Sequence, residues 1–281
     1  MKGDLHTHTV YSDGACEPEQ VFRLAKQSGL DAIAITDHDY IAPFDRDLRL
    51  AKRYGVTAVH GTELSTYDYK RNRRVHILCY FPENLEPVQK YCKMVCDNRR
   101  EAGLEMARLV AEKFPITVEQ VEEAAEKSAS IFKQHILYTL MQAGFATQMY
   151  GPLWKELFDG KNGSCVRVCV QPDVWKVLPD LRAAGAVVIM AHPFTYQSID
   201  IMRELTQAHL LDGIEVWQSK TTPEQEAFLL EFAKANGLIP TGGSDFHGAF
   251  ASRVSPLGCA PTPDGSIRAL FAKKEEIQKS R

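Results

Sequence analysis

Histidine and carboxylate side chains recur at the ends of predicted strands along this 281-residue chain. His6 and His8 stand two residues apart at the end of the first predicted strand, so both imidazoles point to one face. Asp245 and His247 repeat this two-residue spacing after the last predicted strand. Imidazole and carboxylate ligands without thiolates suit Zn²⁺, Mn²⁺ or Fe²⁺ and disfavour a structural zinc. The nine candidate N/O ligands exceed the four of a single zinc, so they predict two or three divalent ions: His6, His8, Asp13, His38, Glu63, His76, His192, Asp245 and His247.

Such a cluster predicts hydrolytic chemistry on phosphate. A centre with several divalent ions lowers the pKa of a bridging water and holds a phosphoryl group, which makes phosphoester hydrolysis the natural inference. Single residues have plainer explanations, since Asp13 fits a turn and Asp39 fits a helix N-cap. A lone histidine such as His60, His135 or His209 is most often a satisfied or surface residue. These explanations fail jointly, because paired ligands stand at both the first and the last predicted strand.

Short apolar segments alternate with amphipathic ones, which predicts a strand–helix repeat. The predicted strands are Asp4–Thr7, Ala32–Thr36, Thr57–Glu63, Val75–Tyr80, Ala186–Ala191, Gly213–Trp217 and Leu238–Gly242. The predicted helices between them are Glu17–Ser28, Phe44–Tyr54, Pro172–Ala184, Ile199–Ala208 and Pro223–Asn236. This alternation predicts a parallel sheet with crossover helices, either open or closed as a barrel. Sites in such folds lie at the carboxyl ends of the strands, and His76, near the start of its strand, is the exception here.

The repeat breaks between about residues 84 and 164, where the periodicity is helical and no strand is predicted. We interpret this stretch as an all-helical insertion. The predicted organisation is therefore a first barrel part (residues 1–83), a helical insertion or cap domain (84–164) and a second barrel part (165–281).

Composition excludes some classes of partner. Lys and Arg number 33 against 36 Asp and Glu, and a net charge of −3 argues against tight, sequence-independent binding of long duplex nucleic acid. Small phosphorylated substrates remain open. No apolar run approaches about 18 residues, so we expect no membrane segment. No secretory leader is apparent and the seven cysteines contain no C-x-x-C pair, so we expect a cytoplasmic protein with reduced thiols.

Five motifs together carry a family resemblance: DLHTHTVYSDG, ITDHD, GTELS, AHPF and GSDFHG. In this order they resemble the PHP (polymerase and histidinol phosphatase) family of metal-dependent phosphoesterases. The resemblance implies a distorted (β/α)7 TIM-like barrel with a trinuclear metal centre. The insertion after His76 is similar to that of the branch that hydrolyses nucleoside 3′,5′-bisphosphates and AMP-like nucleotides. Members of that branch are also assigned 5′→3′ trimming of short RNA.

The resemblance also implies how the ligands divide among the ions. His6, His8, Glu63 and Asp245 would hold the first metal. The second would take Glu63, His76 and His192, and the third would take Asp13, His38 and His247. The implied catalytic residues are Asp245, which would orient a metal-activated hydroxide, and His192 or His247, which would protonate the leaving group.

Substrate recognition is predicted from basic residues outside the ligand set. Arg99, Lys133 and His135 in the insertion would hold a second phosphate, and Arg253 after GSDFHG is a further phosphate ligand. The branch leads us to expect Arg-x-His where this chain has Lys133-Gln134-His135. It also leads us to expect a histidine near Gln218-Ser219-Lys220. Both departures from the pattern of the branch concern residues expected to recognise the substrate.

The predicted function is hydrolysis of a phosphate ester of a small nucleotide, such as a 3′,5′-bisphosphate, an AMP-like nucleotide or the 5′ end of short RNA. One alternative is a phosphatase of a non-nucleotide monoester such as histidinol phosphate. The other is a non-catalytic metal-binding module, although such a module would be expected to lose ligands and this chain keeps all nine.

Overall fold

The computed structural model describes residues 1–160 and 162–280. Its strands are β1 (Lys2–Asp4), β2 (Ala32–Ile35), β3 (Thr57–Asp68), β4 (Arg73–Tyr80), β5 (Val187–Met190), β6 (Gly213–Gln218), β7 (Ile239–Gly243) and β8 (Thr262–Pro263). Its helices are α1 (Pro18–Gln27), α2 (Phe44–Tyr54), α3 (Leu85–Ala111), α4 (Val118–Ala124), α5 (Lys133–Gln142), α6 (Pro152–Phe158), α7 (Val174–Ala183), α8 (Ile199–Gln207), α9 (Pro223–Asn236) and α10 (Asp264–Lys279). A short 3₁₀ helix, Gly248–Phe250, follows β7.

The strands form one sheet in the order β7-β6-β5-β4-β3-β2-β1-β8, and it closes nearly into a barrel. The Leu5 N–H donates to the Gly242 carbonyl at 3.2 Å, and the Asp245 N–H donates to the His6 carbonyl at 3.0 Å. These bonds join the chain after β1 to the chain around the end of β7. The predicted distorted TIM-like barrel with an all-helical insertion is confirmed.

The sheet is not wholly parallel, which corrects the sequence prediction. β3 and β4 form an antiparallel hairpin, in which Glu63 pairs with Leu78 and Ser65 with His76. β4 also runs antiparallel to β5. The start of β4 therefore lies at the edge where the parallel strands end. This direction brings His76 to the ligand edge although it stands near the start of its strand.

The first strand is shorter than predicted, at Lys2–Asp4 instead of Asp4–Thr7. After Asp4 the chain also pairs with the segment after β7, through a parallel bridge between Thr7 and Phe246, while the Thr7 carbonyl still accepts from the Thr36 N–H at 2.8 Å. An eighth strand was missed. β8 is a two-residue segment antiparallel to β1, too short to show a periodicity.

Helix-end signals in the sequence position several strands correctly. α2 ends at Gly55 and α9 at Gly237, both in the left-handed conformation, with φ of 64° and 65°. α9 begins with a capping box, in which the Thr222 hydroxyl accepts from the Gln225 N–H and the Gln225 side chain accepts from the Thr222 N–H. Because these signals fix where helices stop, they set the start of β3 and β7.

The insertion has a hydrophobic cluster of its own. Side chains from the second half of α3 pack with those of α4, α5 and α6 around Ile131, Ile136 and Leu140, which are fully buried. The first half of α3 packs on the barrel instead, since Val88 and Cys92 belong to the cluster that surrounds β4 and β5. α3 therefore joins the two cores. The domain boundaries at residues 83/84 and 164/165 stay a prediction.

The seven cysteines are all unpaired, as the expectation of reduced thiols requires. Within residues 1–160 and 162–280, none of the helices is both long enough and apolar enough to cross a membrane.

Closure of the barrel predicts a steric constraint at Gly243. A Cβ added at Gly243 would lie 2.3 Å from the His6 Cβ and 2.6 Å from the His6 backbone nitrogen. The backbone at His6 or at residue 243 would therefore have to move. We expect Gly243→Ala to lower the free energy of unfolding by about 3 kcal/mol, the upper end of usual overpacking costs, as measured by urea denaturation. Gly265→Ala is the matched control, because a Cβ there meets nothing within 4 Å. Equal stability of the two variants would contradict this account of barrel closure.

Candidate metal centre

The nine predicted ligands reach one edge of the sheet from both halves of the barrel. They come from the loop after β1 (His6, His8, Asp13), the loop after β2 (His38), from β3 (Glu63) and β4 (His76), and from the residues after β5 (His192) and after β7 (Asp245, His247). All nine belong to groups whose potential ligand atoms lie within 4.8 Å of one another. The fold thus gathers the residues that sequence spacing singled out.

Glu63 lies at the middle of the cluster and is fully buried. Its Oε1 lies 2.9 Å from His76 Nδ1 and 2.9 Å from His192 Nε2. Its Oε2 faces three further imidazoles, at 3.1 Å from His6 Nε2, 3.3 Å from His8 Nε2 and 3.0 Å from His38 Nδ1. Burial alone would raise the pKa of Glu63, but the surrounding imidazoles outweigh it and hold that pKa well below its usual range.

Two more carboxylates flank this core. Asp245 Oδ1 lies 3.4 Å from His8 Nε2 and 3.7 Å from His6 Nε2. Asp13 Oδ1 lies 3.3 Å from His247 Nε2. Burial would raise the pKa of both aspartates, yet neighbouring imidazoles, His247 first, lower it well below the usual value. Both carboxylates are therefore ionised and able to hold cations.

The structure divides the ligands into four overlapping groups: His6, His8 and Asp245; His6, Glu63 and His192; His38, Glu63 and His76; and His8, Asp13, His38 and His247. Glu63 belongs to two of them, as a bridging carboxylate would. The third predicted set, Asp13, His38 and His247, falls within one group, which His8 also joins. His76 and His192 share Glu63 Oε1 but fall in different groups.

The donor atoms fit a multinuclear divalent centre. Several buried nitrogen and oxygen atoms of these residues have no hydrogen-bond partner: His6 Nε2, His8 Nδ1, His8 Nε2, Asp13 Oδ1, His38 Nδ1, Glu63 Oε2 and His192 Nδ1. Unpartnered buried polar atoms are costly, so this many in one place indicates a ligand that satisfies them. The set consists of imidazole nitrogens and carboxylate oxygens, which suit Zn²⁺, Mn²⁺ or Fe²⁺.

Glu215, inside β6, supports the centre and was missed by sequence analysis. Its Oε1 lies 2.8 Å from His6 Nδ1, and its Oε2 accepts from the His192 N–H at 2.9 Å. With Nδ1 as the donor to Glu215, His6 turns the lone pair of Nε2 toward the cluster. The signal in the sequence was a carboxylate inside the apolar segment GIEVWQ. Because Glu is rarely fully buried without a partner, its position indicated a buried partner for Glu215.

Asp37 shapes the loop that carries His8 and Asp13. Its carboxylate accepts from the Thr9 N–H, the Thr9 hydroxyl and the Ser12 hydroxyl, each at 2.7 Å. These three bonds to one buried group fix the loop before any cation binds.

Arg99, predicted to hold a phosphate, is engaged elsewhere. Its Nη2 donates to Asp39 Oδ2 at 2.6 Å and to the Ser65 hydroxyl at 3.0 Å, and its guanidinium lies 4.6 Å from the centre of the Phe132 ring. The Phe132 ring in turn stacks on His38 at 6.2 Å between ring centres. We interpret Arg99 as a residue that positions His38 and ties α3 to the barrel.

Lys133 and His135 form hydrogen bonds within the insertion. Lys133 Nζ donates to the Phe158 carbonyl at 3.0 Å, and burial together with the nearby charge of Arg74 lowers the pKa of Lys133 to about 8. His135 Nδ1 accepts from the Phe132 N–H, and burial lowers the pKa of His135 to about 4. Neither side chain lines the cavity over the centre.

A cavity of about 170 Å³, here called the main cavity, opens over the ligands. Its lining includes Asp13, Glu63, His192 and His247 together with two cationic side chains, Lys220 and Arg253. Arg253 thus lies where sequence analysis expected a phosphate ligand. Lys220 Nζ and Gln218 Nε2 lie 3.3 Å and 3.2 Å from Asp245 Oδ2. These two residues stand where a histidine had been expected.

Comparisons with known proteins agree with this site. A family model described as PHP domain matches residues 4–112. A phosphoribosyl 1,2-cyclic phosphate 1,2-diphosphodiesterase from Eggerthella lenta is 34% identical, over 92% of this chain and 98% of its own. The 5′-3′ exoribonuclease Rnm of Escherichia coli is 27% identical over 87% and 84%. A 3′,5′-nucleoside bisphosphate phosphatase from Chromobacterium violaceum is 29% identical over 87% and 86%.

A solved structure resembles the whole chain. It comes from Bifidobacterium adolescentis and is described as a metal-dependent phosphoesterase. It superposes with a TM-score of 0.84 at 28% sequence identity, covering 96% of each chain. The likeness therefore extends over the barrel and the insertion alike.

The Arg99–Asp39 pair generates a prediction that links the insertion to the centre. Arg99→Met leaves Asp39 buried beside no cation, and losing one partner of a buried pair costs about 3–5 kcal/mol. We expect that loss in the free energy of unfolding, together with lower Mn²⁺ content in the purified protein because His38 loses its support. Arg100→Met is the control, since its ion pair with Glu122 is half-exposed and worth at most about 1 kcal/mol. If both variants matched wild type in stability and metal content, the positioning role would be wrong.

Proposed function

Because this chain belongs to the PHP family of metal-dependent phosphoesterases, we propose that it hydrolyses a phosphate ester on a ribose unit that carries a second phosphate. The main support for this proposal is that six imidazoles and three carboxylates converge, several of them with unpartnered buried atoms. They lie beneath a cavity that is lined by Lys220 and Arg253. The names of two relatives support the substrate class, since a phosphoribosyl cyclic phosphate and a nucleoside 3′,5′-bisphosphate both carry two phosphates on one ribose.

The size of the main cavity supports a small reacting unit. About 170 Å³ is below the roughly 300–1,000 Å³ of pockets that enclose drug-sized ligands. A phosphate and the adjoining sugar fit this space, and the rest of a nucleotide or of a short RNA would extend beyond it. A long duplex would not reach the ligands.

The proposed cofactor is two or three divalent ions, of Mn²⁺, Zn²⁺ or Fe²⁺. His6, His8, Glu63 and Asp245 would hold the first, Glu63, His76 and His192 the second, and Asp13, His38 and His247 the third. The third set falls within one group of ligand atoms, and His6, His8 and Asp245 of the first set form another. For the second set, the support is that Glu63 Oε1 lies 2.9 Å from both His76 Nδ1 and His192 Nε2. When bound, such ions lower the pKa of a shared water and neutralise phosphate charge.

The chain's own residues prepare the remaining steps. Asp245 is held from both sides, with Oδ1 toward His6 and His8 and Oδ2 toward Gln218 and Lys220, so its carboxylate has a fixed direction for orienting the attacking hydroxide. Arg253, at the cavity wall, would bind oxygens of the reacting phosphate.

Proton supply to the leaving oxygen is the last requirement. Hydrolysis breaks the bond between phosphorus and the ribose oxygen, and that oxygen must gain a proton. His192 and His247 both line the main cavity and are the proposed donors. A ring nitrogen that holds an ion cannot donate a proton, so the ligand and donor roles are alternatives for each ring. Loss of activity in His192→Asn with full metal content would assign His192 the proton role. His247 Nδ1 lies 2.8 Å from the Asp245 carbonyl, which orients the ring and leaves Nε2 directed inward.

Glu63→Gln tests the ligand assignment. Replacing one carboxylate oxygen by an amide removes a charge at the bridging position, so we expect metal content and turnover to fall together, turnover by at least about 100-fold. Metal analysis by mass spectrometry and phosphate release measure the two. Exposed Glu231→Gln on α9 is the control. Full metal content with wild-type turnover in Glu63→Gln would refute the assignment.

A substrate panel with Mn²⁺, and with chelator as the blank, tests the substrate class. It contains adenosine 3′,5′-bisphosphate, 5-phosphoribosyl 1,2-cyclic phosphate, a 5′-phosphorylated trinucleotide, AMP and histidinol phosphate. We expect the best of the first three to exceed AMP and histidinol phosphate in kcat/KM by at least about tenfold, since binding energy from a second phosphate is available only to them. Preference for histidinol phosphate would instead establish the non-nucleotide alternative. A metal-loaded protein without turnover on any of the five would favour a non-catalytic module.

A further inference from the structure

A second cavity, here called the side cavity, adjoins the main cavity. It measures about 230 Å³ and lies between the loops that follow β5 and β6. His192, Thr195 and Lys220 line both cavities, so the two are contiguous. One molecule with a group bound over the ligands can therefore place another group in the side cavity.

The lining of the side cavity favours an anion. Lys220 is its cation, and no carboxylate is among the lining residues that the described chain supplies. Thr195 and Thr221 add hydroxyl groups, and Gln225 adds a side-chain amide. The Gln225 Oε1 already accepts from the Thr222 N–H, so its NH₂ group is the end left for a ligand. An ammonium with hydroxyl and amide donors is a combination that binds phosphate oxygens.

Lys220 is held at the junction of the two cavities. Its backbone N–H donates to Gln218 Oε1 at 2.8 Å, and the Thr221 N–H donates to the Gln218 carbonyl at 2.9 Å. Its Nζ donates to Asp245 Oδ2 at 3.3 Å while the side chain is 35% exposed. An ammonium has three hydrogens, so one bond to Asp245 leaves two for a ligand.

We propose that the side cavity binds the phosphate that is not hydrolysed, with Lys220 as its principal ligand. This inference rests on the proposed function and names the place of the second phosphate. The insertion cations Arg99 and Lys133 are less suited to that task, since neither is among the residues that line the two cavities. Lys220 is therefore a specificity residue that distinguishes ribose bisphosphates from monophosphates.

The experiment compares Lys220→Met, Lys220→Arg and the control Lys234→Met, an exposed residue at the far end of α9. Each Mn²⁺-loaded protein is assayed with adenosine 3′,5′-bisphosphate and with the 3′- and 5′-monophosphates. In Lys220→Met we expect the ratio of kcat/KM for bisphosphate over the better monophosphate to fall about 10- to 100-fold, mostly through KM, as for a lost bond to a charged group. Lys220→Arg retains most of the ratio, and Lys234→Met retains all of it.

The ratio of kcat/KM for bisphosphate over monophosphate distinguishes loss of the second-phosphate subsite from a disturbance of Asp245. A disturbance of Asp245 lowers the turnover of every substrate equally and leaves this ratio unchanged. An unchanged ratio in Lys220→Met overturns the inference and leaves the proposed function intact. If neither these nucleotides nor 5-phosphoribosyl 1,2-cyclic phosphate is hydrolysed, the proposed function fails, and calorimetric titration of the same loaded proteins with adenosine 3′,5′-bisphosphate decides the subsite. A Kd about tenfold weaker in Lys220→Met supports it, whereas an equal Kd, or no binding to wild type, overturns it.

Discussion

The structure depends on one electrostatic constraint, which is the burial of the Glu63 carboxylate at the centre of the barrel mouth. A buried carboxylate is tolerated only when positive or hydrogen-bonding groups surround it. Here imidazoles from β4 and from the segments after β1, β2 and β5 meet its two oxygens. The loops that carry them are fixed by further buried acids, of which Asp37 and Glu215 are the clearest. Backbone and hydroxyl donors satisfy Asp37, and the His6 ring and the His192 N–H satisfy Glu215, so the polar network is a condition of folding as well as of catalysis.

The antiparallel hairpin and the insertion enter this network in different ways. The hairpin reverses β4 so that His76 shares Glu63 Oε1 with His192. The insertion reaches the network through Arg99, which pairs with the residue next to His38. The cap therefore braces one wall of the metal centre, while the side facing Lys220 and Arg253 stays open to a substrate.

The convergence of the candidate ligands was predictable because its signals are local. Pairs such as His6/His8 and Asp245/His247 show their shared face in the sequence, and strand ends place them at one edge. Partners far apart in sequence were not predictable. Arg99 and Asp39 are 60 residues apart, and Glu215 and His6 are 209 apart, so no spacing rule connects them. The direction of β4 was missed for a related reason, because a short apolar segment looks the same in parallel and antiparallel pairing.

The joining of the segment after β1 to the segment after β7 has a consequence for biosynthesis. His6 precedes Asp245, which completes its group of candidate ligands, by more than two hundred residues. A nascent chain that still lacks β7 can form the hairpin of β3 and β4, which carries Glu63, but it cannot close the barrel. A complete set of candidate ligands therefore forms only once the segment after β7 has been made, and a chain truncated before that segment would lack Asp245 and His247.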